Sequence, residues 1–310
     1  MGAVGFQETE WIWSDGEYIP WKEAKLHLFS TAVQFGTSVF EGIRAYKTAE
    51  GPGIFRLDTH VRRLFDSAKI YRMPPDHSHE TIVAACKEVV LKNGLDDCYV
   101  RPMVLRGYGA PGLNPFASPV QTFIGAWPWG AYLGAEALAQ GVDVCVSSWH
   151  RAMPNTYPQR AKAGGHYTSA QLMKMEAVTN GYADAIALGP GGLVSEGSGM
   201  NLFLVRDSVV VTPFLDGTSL EGITRDAILT MARDLGYETR EQLVPRESLY
   251  TADELFFTGT AAEVTPVRSV DRIQIGQGRA GPVTLALQKQ FLETVRGEND
   301  DPHGWVTYVR

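Results

Sequence analysis

Apolar residues recur along this chain with two different periods, and each change of period marks an element. In "WIWSDGEYI" (11–19) two short strand-like runs flank Asp15 and Gly16, a pair suited to a type I′ turn, so a hairpin is predicted. "GIFRLDTHVRRLFDSAKI" opens as a strand at 54–57. It continues as a helix capped at Asp58 or Thr59, with Val61, Leu64, Phe65 and Ala68 on one face. A second helix is expected from Ser78 to Asn93, stopped by Gly94. "CYVRPMVLRGY" and "QTFIGAWPW" read as strands. Helices and strands are thus segregated in the first third, an α+β pattern.

Across "PWGAYLGAEALAQG" (128–141) Pro, Gly and Ala replace patterned segments, which places a boundary there. Beyond it the pattern gives a strand in "VDVCVSSW", a helix from Gly165 to Asn180 stopped at Gly181, and a strand in "DAIALG". A strand pair follows in "NLFLVRD" and "SVVVTP", then a helix from Thr224 to Leu235 stopped by Gly236, a strand in "DELFFTG" and a last helix near 282–296. There is no internal repeat and no low-complexity tract. The expectation is two domains rich in helix and strand, 1–130 and 142–310, joined by a linker at 131–141, with a ligand in the cleft.

Composition narrows the function classes. The chain has 310 residues, 44% hydrophobic and 20% charged, as in a soluble globular protein. A balance of 28 basic and 35 acidic residues, net −7, argues against a nucleic-acid or anionic-membrane surface. Cys86, Cys98 and Cys145 are widely spaced without a CxxC pair, which points to a reducing compartment and no metal framework. The opening "MGAVGFQETEWIW" has no basic start followed by an apolar run, and no run is long enough to span a bilayer, so a cytoplasmic protein is expected.

Lys162, in "QRAKAGGHYTSA", stands alone among Ala161, Ala163, Gly164 and Gly165. An amine in a confined setting can serve as nucleophile or base, and lysine is the residue that joins a carbonyl cofactor such as pyridoxal phosphate. That reading makes three demands. For a phosphate, "LEGITRDAILTMARDLG" (220–236) offers Gly222 and Thr224 at a helix start, where unpaired amides meet an anion. Arg63 or Arg62 could add a guanidinium, and "FTGTAAEVT" (257–265) ends a strand with Gly259, Thr260 and Ala261. For a pyridine nitrogen, Glu196 in "GGLVSEGSGMNLF" is a candidate carboxylate, and Tyr167 supplies a hydroxyl near the lysine. There is no GxxxxGK loop, GxGxxG turn, HExxH or GxSxG motif to support a rival chemistry.

With these residues assembled, the sequence resembles the branched-chain amino acid aminotransferases, fold type IV among pyridoxal-phosphate enzymes. The motifs that carry the likeness are "FGTSVFEGIRAY", "YVRP", "AWPWGAYLG", "SSWHRAMPNTYPQRAKAGGHY", "SEGSGMNLF", "LEGITRDAI" and "GTAAEVTPV". The resemblance implies a small N-terminal α+β domain, a larger C-terminal domain and pyridoxal 5'-phosphate at their interface, held covalently on Lys162 as the internal aldimine. It implies that Tyr167 bonds the ring oxygen, that Glu196 meets the pyridine nitrogen, and that Arg63, Ile223, Thr224 and Thr260 hold the phosphate, with Arg62 solvated. The matching substrate pocket is lined by Phe40, Tyr99, Arg101, Trp129, Tyr132, Thr260 and Ala261, with Leu113 on a loop that closes a neighbouring subunit's site. The implied reaction moves the amino group of L-leucine, L-isoleucine or L-valine to 2-oxoglutarate by a ping-pong mechanism. The implied partners are amino acids, 2-oxo acids and a second copy of the chain, as a homodimer or a trimer of dimers. D-amino acid transaminase, (R)-amine transaminase and aminodeoxychorismate lyase share the fold and are the alternatives. Phe35 replaces a tyrosine common in bacterial members, and Met200 stands where an acidic residue is frequent. Both changes are apolar and are expected to widen acceptance toward hydrophobic amines.

Overall fold

The computed structural model describes residues 7–130 and 135–310. The chain falls into two units: the described residues up to Gly130 with Ala161–Gly165 and Thr294–Arg310, and the remainder. The expected bounds of 1–130, 131–141 and 142–310 differ from this division at both inserted segments. Within the expected linker, Ala135–Gln140 is a short helix.

The first unit is built on an eight-stranded antiparallel sheet. Its order is Val306–Tyr308, Gly51–Phe55, Ile43–Thr48, Cys98–Arg106, Val120–Pro128, Trp11–Ser14 and Glu17–Pro20, with Ser38–Phe40 paired to Cys98–Arg106. The hairpin forms as its turn residues dictate, with φ of 45° at Asp15 and 103° at Gly16. Helices Leu57–Ile70 and His79–Lys92 pack on the sheet, burying Val61, Leu64, Ala68, Ile82 and Val89 against Ile43, Ile54, Val100 and Ile124. Ser78 caps the second helix by accepting from Thr81 N, and Gly94 ends it at φ +61°.

The first helix departs from expectation. It starts at Leu57, its N-cap is Arg56 at φ +53°, and neither Asp58 nor Thr59 caps it. The preceding strand correspondingly ends at Phe55. The cause is a long-range tie: Arg56 N donates to Trp305 O at 2.7 Å, and the Arg56 guanidinium lies 5.2 Å from the Trp305 ring centroid. The strand Val306–Tyr308 then pairs with Gly51–Phe55, which carries the C-terminus into the first unit's sheet.

The second unit holds a nine-stranded mixed sheet. Its order is Val194–Gly197, Asp184–Leu188, Val142–Val146, Glu263–Val270, Glu254–Gly259, Asn201–Arg206, Val209–Pro213 and Thr239–Gln242, with Ile273–Gln274 on Glu263–Val270. Three pairings are parallel; of those strands Asp184–Leu188 is buried at every residue, whereas Thr239–Gln242, at the sheet's edge, is polar and largely exposed. Phe203 and Phe256 are cross-strand partners with rings stacked at 5.1 Å. Helix Tyr167–Thr179 buries Met173 and Ala177 against Ala185 and Ala187. It begins two residues after the expected Gly165, because Gly164–His166 form a 3-10 turn. No described helix is long and apolar enough to cross a membrane.

The last helix, Pro282–Val295, starts with proline at a position whose own N–H would be unpaired in any case. Buried Glu254 accepts from Val283 N at 3.1 Å, Thr284 N at 2.7 Å and Thr284 Oγ1 at 2.6 Å. A Cβ on Gly281 would overlap that carboxylate, so the glycine is sterically required. Glu254→Ala strips three donors of their acceptor in a closed setting. A loss of roughly 1–3 kcal/mol is expected, read as a lower denaturant midpoint for the second unit.

Candidate functional site

Each unit carries its own cluster of the residues singled out in the sequence. In the first, Ala161–Gly165 runs beside Ser38–Phe40: Val39 bridges Ala163, Phe40 N donates to Lys162 O at 3.0 Å, and Lys162 N donates to Ser67 Oγ at 3.0 Å. Ala161 and Ala163 are buried, and a Cβ on Gly164 would overlap Ser38 Oγ. The small residues around the lysine therefore let the protein's own strand approach. The Lys162 side chain is half-buried, with Nζ 5.1 Å from the Phe40 ring centroid.

The motif "FEGIR" resolves into separate tasks. Phe40 faces Lys162 on one hand and Arg101 on the other, whose guanidinium carbon lies 4.7 Å from its ring centroid. Glu41 is fully buried. It receives Arg63 Nε at 2.6 Å and Arg63 Nη2 at 2.9 Å, and His60 Nδ1 lies 2.7 Å away. Gly42 has no Cβ because one would overlap Tyr99 Oη. Arg44 pairs with Asp97 at 2.9 Å and lies 4.7 Å from the Tyr46 ring centroid.

The guanidinium of Arg101 is surrounded by rings, at 4.7 Å from Phe40, 5.3 Å from Tyr99 and 5.6 Å from Trp127. Trp129 extends the wall, 4.9 Å from Tyr99 and 6.1 Å from Trp127. Buried Arg101 Nε has no hydrogen-bond partner among the described residues. Ring faces of this kind suit an alkyl chain, while the Arg101 guanidinium can receive a carboxylate. Trp127 was missed in the sequence, although it pairs directly with Tyr99 across the sheet and shares the face of Trp129 by the strand's period of two. Glu41, His60 and Ser67 were missed too. Spacings of three and four put His60, Arg63 and Ser67 on one face of Leu57–Ile70, a signal available beforehand.

Charge at Glu41 is held by its neighbours. Burial alone would raise the carboxyl, but the Arg63 guanidinium, followed by His60, outweighs it and holds Glu41 well below the ordinary carboxylate range. Burial pushes His60 the other way, below the usual imidazole value. Glu41 is therefore ionised against Arg63, and His60 contributes a hydrogen bond from a neutral ring with Nδ1–H donating to Glu41. That tautomer leaves Nε2 a buried acceptor with no partner among the described residues.

In the second unit, Glu196 sits buried in the strand Val194–Gly197. Arg151 Nη2 is 3.2 Å from Oε1, and Asn201 Nδ2 and Leu220 N each donate to Oε2 at 3.3 Å. The same Arg151 group donates to Gly197 O at 2.7 Å and Ser198 O at 2.8 Å, and Ser198 Oγ donates to Asp184 at 2.6 Å. A Cβ on Gly197 would come 2.9 Å from Phe257. "SEGSGMNLF" is thus a tight turn, closed by Gly197 N donating to Met200 O, that fixes a buried carboxylate. Met200 itself packs in this unit's core, which accounts for an apolar residue there.

Thr224 was expected at a helix N-cap. The cap is Gly222, the helix runs Ile223–Asp234, and Thr224 is its second residue, buried. A Cβ on Gly222 would overlap Asn201 Oδ1, and no side chain caps this end, so the first amides are left to another acceptor. Thr260 and Ala261 lie in the tight turn between Glu254–Gly259 and Glu263–Val270, half-buried. Tyr167 is the half-buried first residue of its helix. Leu113 is 86% exposed, Phe35 47%, and Arg62 is exposed. Tyr132 lies outside the described residues.

The family model for Amino-transferase class IV matches residues 38–270. The branched-chain-amino-acid aminotransferase of Escherichia coli (strain K12) is 52% identical over 304 residues, covering 98% of each chain. A crystal structure of the E. coli branched-chain amino acid aminotransferase matches with a TM-score of 0.96 at 51% identity, over 98% of this chain and all of that one. The branched-chain amino acid aminotransferase from Thermobaculum terrenum, solved in its PLP-bound holo-form, matches with a TM-score of 0.92 at 35% identity, over 98% of this chain and 99% of that one.

The depressed Glu41 carboxyl sets a pH dependence. Below its ordinary value of 4.5 the unfolded chain takes up a proton at Glu41 that the folded chain refuses, so stability from the ion pair is full above that range and falls as pH drops. Denaturant midpoints measured from pH 6 to pH 3 should show an acid limb that is shallower in Glu41→Gln.

Proposed function

The chain belongs to the class IV aminotransferases, and on that premise we propose that it is a pyridoxal-phosphate-dependent branched-chain transaminase. It moves the amino group of L-leucine, L-isoleucine or L-valine to 2-oxoglutarate, releasing branched 2-oxo acids and L-glutamate. The observation that carries the reading is the first unit's cluster. A half-buried lysine and one ring-bounded guanidinium both lie against the Phe40 ring, beside an aromatic wall.

The residues present fit the cofactor. The helix Ile223–Asp234 has first-turn amides that no side chain caps, and Glu196 is a buried carboxylate gripped by an arginine. Lys162 would hold the cofactor, Tyr167 its ring hydroxyl, Glu196 its pyridine nitrogen, and Arg63, Ile223, Thr224 and Thr260 its phosphate. When bound, pyridoxal phosphate supplies the electron sink that makes a substrate α-proton removable. With the cofactor in place, Lys162 Nζ would be the base that takes the proton from the amino-acid Cα and the acid that returns it. Two backbone hydrogen bonds, from Phe40 N and to Ser67 Oγ, keep the lysine's main chain fixed while its side chain moves. In this reading the ring faces of Phe40, Tyr99 and Trp129 receive the side chain of a branched substrate, a part the resemblance also gives to Tyr132, Thr260 and Ala261. Arg101 binds the second carboxylate of glutamate, and the rings around it lower the competing hydration.

Self-association as a homodimer belongs to the same reading. Leu28, Phe29, Tyr108, Leu113 and Phe116 are all more than half exposed. Their segments are tied together by the Ser30–Tyr108 bridge and the Thr31–Ser118 hydrogen bond at 2.9 Å. An apolar surface of that kind is suited to burial against a second copy, with Leu113 reaching the partner's pocket. Three buried free cysteines fit a cytoplasmic setting.

The test is the visible spectrum of the purified protein, before and after L-leucine is added without acceptor. The band of lysine-linked cofactor should give way to that of the pyridoxamine form and return with 2-oxoglutarate. Lys162→Ala should lose the first band and turn over at least about 10³-fold more slowly. A band indifferent to L-leucine would refute the substrate reading, and turnover without any 2-oxo acid would indicate a lyase.

A further inference from the structure

We propose that Glu41 is the positioning residue that aims Arg63 at the cofactor phosphate. The inference rests on the reading of Arg63 as the phosphate-binding arginine and adds a residue to that site which none of its expected members includes. An arginine on a helix reaches its target through a long, freely rotating stem, so a guanidinium needs a second contact to fix its plane. Glu41 supplies one by taking two N–H groups of the same edge, Nε at 2.6 Å and Nη2 at 2.9 Å. This bidentate grip sets both the rotation and the tilt of the fork and turns the Nη1 edge away from the carboxylate.

The grip is itself held on two sides. His60 Nδ1 is 2.7 Å from Glu41 Oε2, and Gly42 N donates to the same oxygen at 3.3 Å. His60 and Arg63 are one turn apart on Leu57–Ile70, so one carboxylate ties the helix to the segment after Ser38–Phe40 at two points. The adjoining residue on that segment is Phe40, whose amide bonds Lys162 O. The pose of Arg63 and that of the lysine's backbone are thereby referred to the same short stretch of chain.

Stability alone is a poor reason for this arrangement. A buried ion pair is often matched or bettered by apolar side chains of equal volume, because both charges must be desolvated. Three polar side chains are nonetheless spent in the first unit's interior. What the pair provides, and an apolar replacement would not, is a half-buried guanidinium of defined orientation.

The experiment uses the full-length chain, stripped of cofactor and titrated with pyridoxal phosphate, in parent, Glu41→Gln, Arg63→Met and the double variant. Glu41→Gln should raise the dissociation constant at least tenfold. In the Arg63→Met background the same change should add less than twofold, because the residue it acts through is gone. The phosphorus NMR signal of the bound phosphate should shift in Glu41→Gln, and Glu41→Asp, which keeps the charge, should recover part of the affinity. Parent-like affinity and phosphorus signal in Glu41→Gln would overturn the proposal. So would independent, multiplying effects of the two substitutions, since Glu41 would then act elsewhere. If Arg63→Met alone leaves the affinity unchanged, the phosphate reading of Arg63 fails, whatever Glu41 does. Should Glu41→Gln not fold, Glu41→Asp enters the same cycle: a loss of affinity that vanishes with Arg63→Met supports the proposal, and parent-like binding refutes it.

Discussion

A carboxylate removed entirely from water must be answered by charge and hydrogen bonds, and in the first unit that requirement at Glu41 governs much else. The answer comes from one face of Leu57–Ile70. There His60 and Arg63 reach Glu41, while Ser67, one turn further, accepts from the Lys162 amide. The adjacent stripe of Val61, Leu64 and Ala68 packs into the core. A rotation of the helix would expose the apolar stripe and strand the buried charge together. Apolar packing and polar satisfaction therefore specify the same helix register, which is the consistency expected of a well-defined native state.

The glycines of the characteristic motifs act by what they leave out. At Gly42 the missing Cβ is the space of the Tyr99 hydroxyl, at Gly164 that of Ser38 Oγ, and at Gly222 that of the Asn201 amide oxygen. In each case the group admitted is polar and belongs to the protein. The three positions are close-packed. Their neighbours Lys162, Glu41 and Ile223 gain fixed backbone positions from that packing.

The two units solve the problem of a functional charge in opposite ways. Glu196 is surrounded by donors, from Arg151, Asn201 and the Leu220 amide. Arg101 is surrounded by ring faces, and no carboxylate pairs with it among the described residues. A cation held by quadrupoles keeps its charge available to an anionic group while presenting an apolar surface to an alkyl one.

The sequence by itself determined the elements whose signals are local. The Asp15-Gly16 hairpin, the helix from Ser78 to Gly94, the strand pair around Asp207 and the last helix are written in turn residues, caps and periods that act within a few positions. Lys162, Glu196, Arg63 and the helix start near Thr224 were legible as candidates, because their residue types stand out against small or apolar neighbours. Only the tertiary structure decided that Arg56 rather than Asp58 opens its helix, since the backbone carbonyl of the distant Trp305 holds it. It also decided that Val306–Tyr308 closes the first unit's sheet, and that the space beside Lys162 is filled by Ser38 and Val39. Glu41 is the clearest case: in the sequence it is one carboxylate among 35 acidic residues. Its burial, and hence its demand for Arg63 and His60, exists only once distant segments have been brought together, because desolvation is a property of the packed interior and not of the residue.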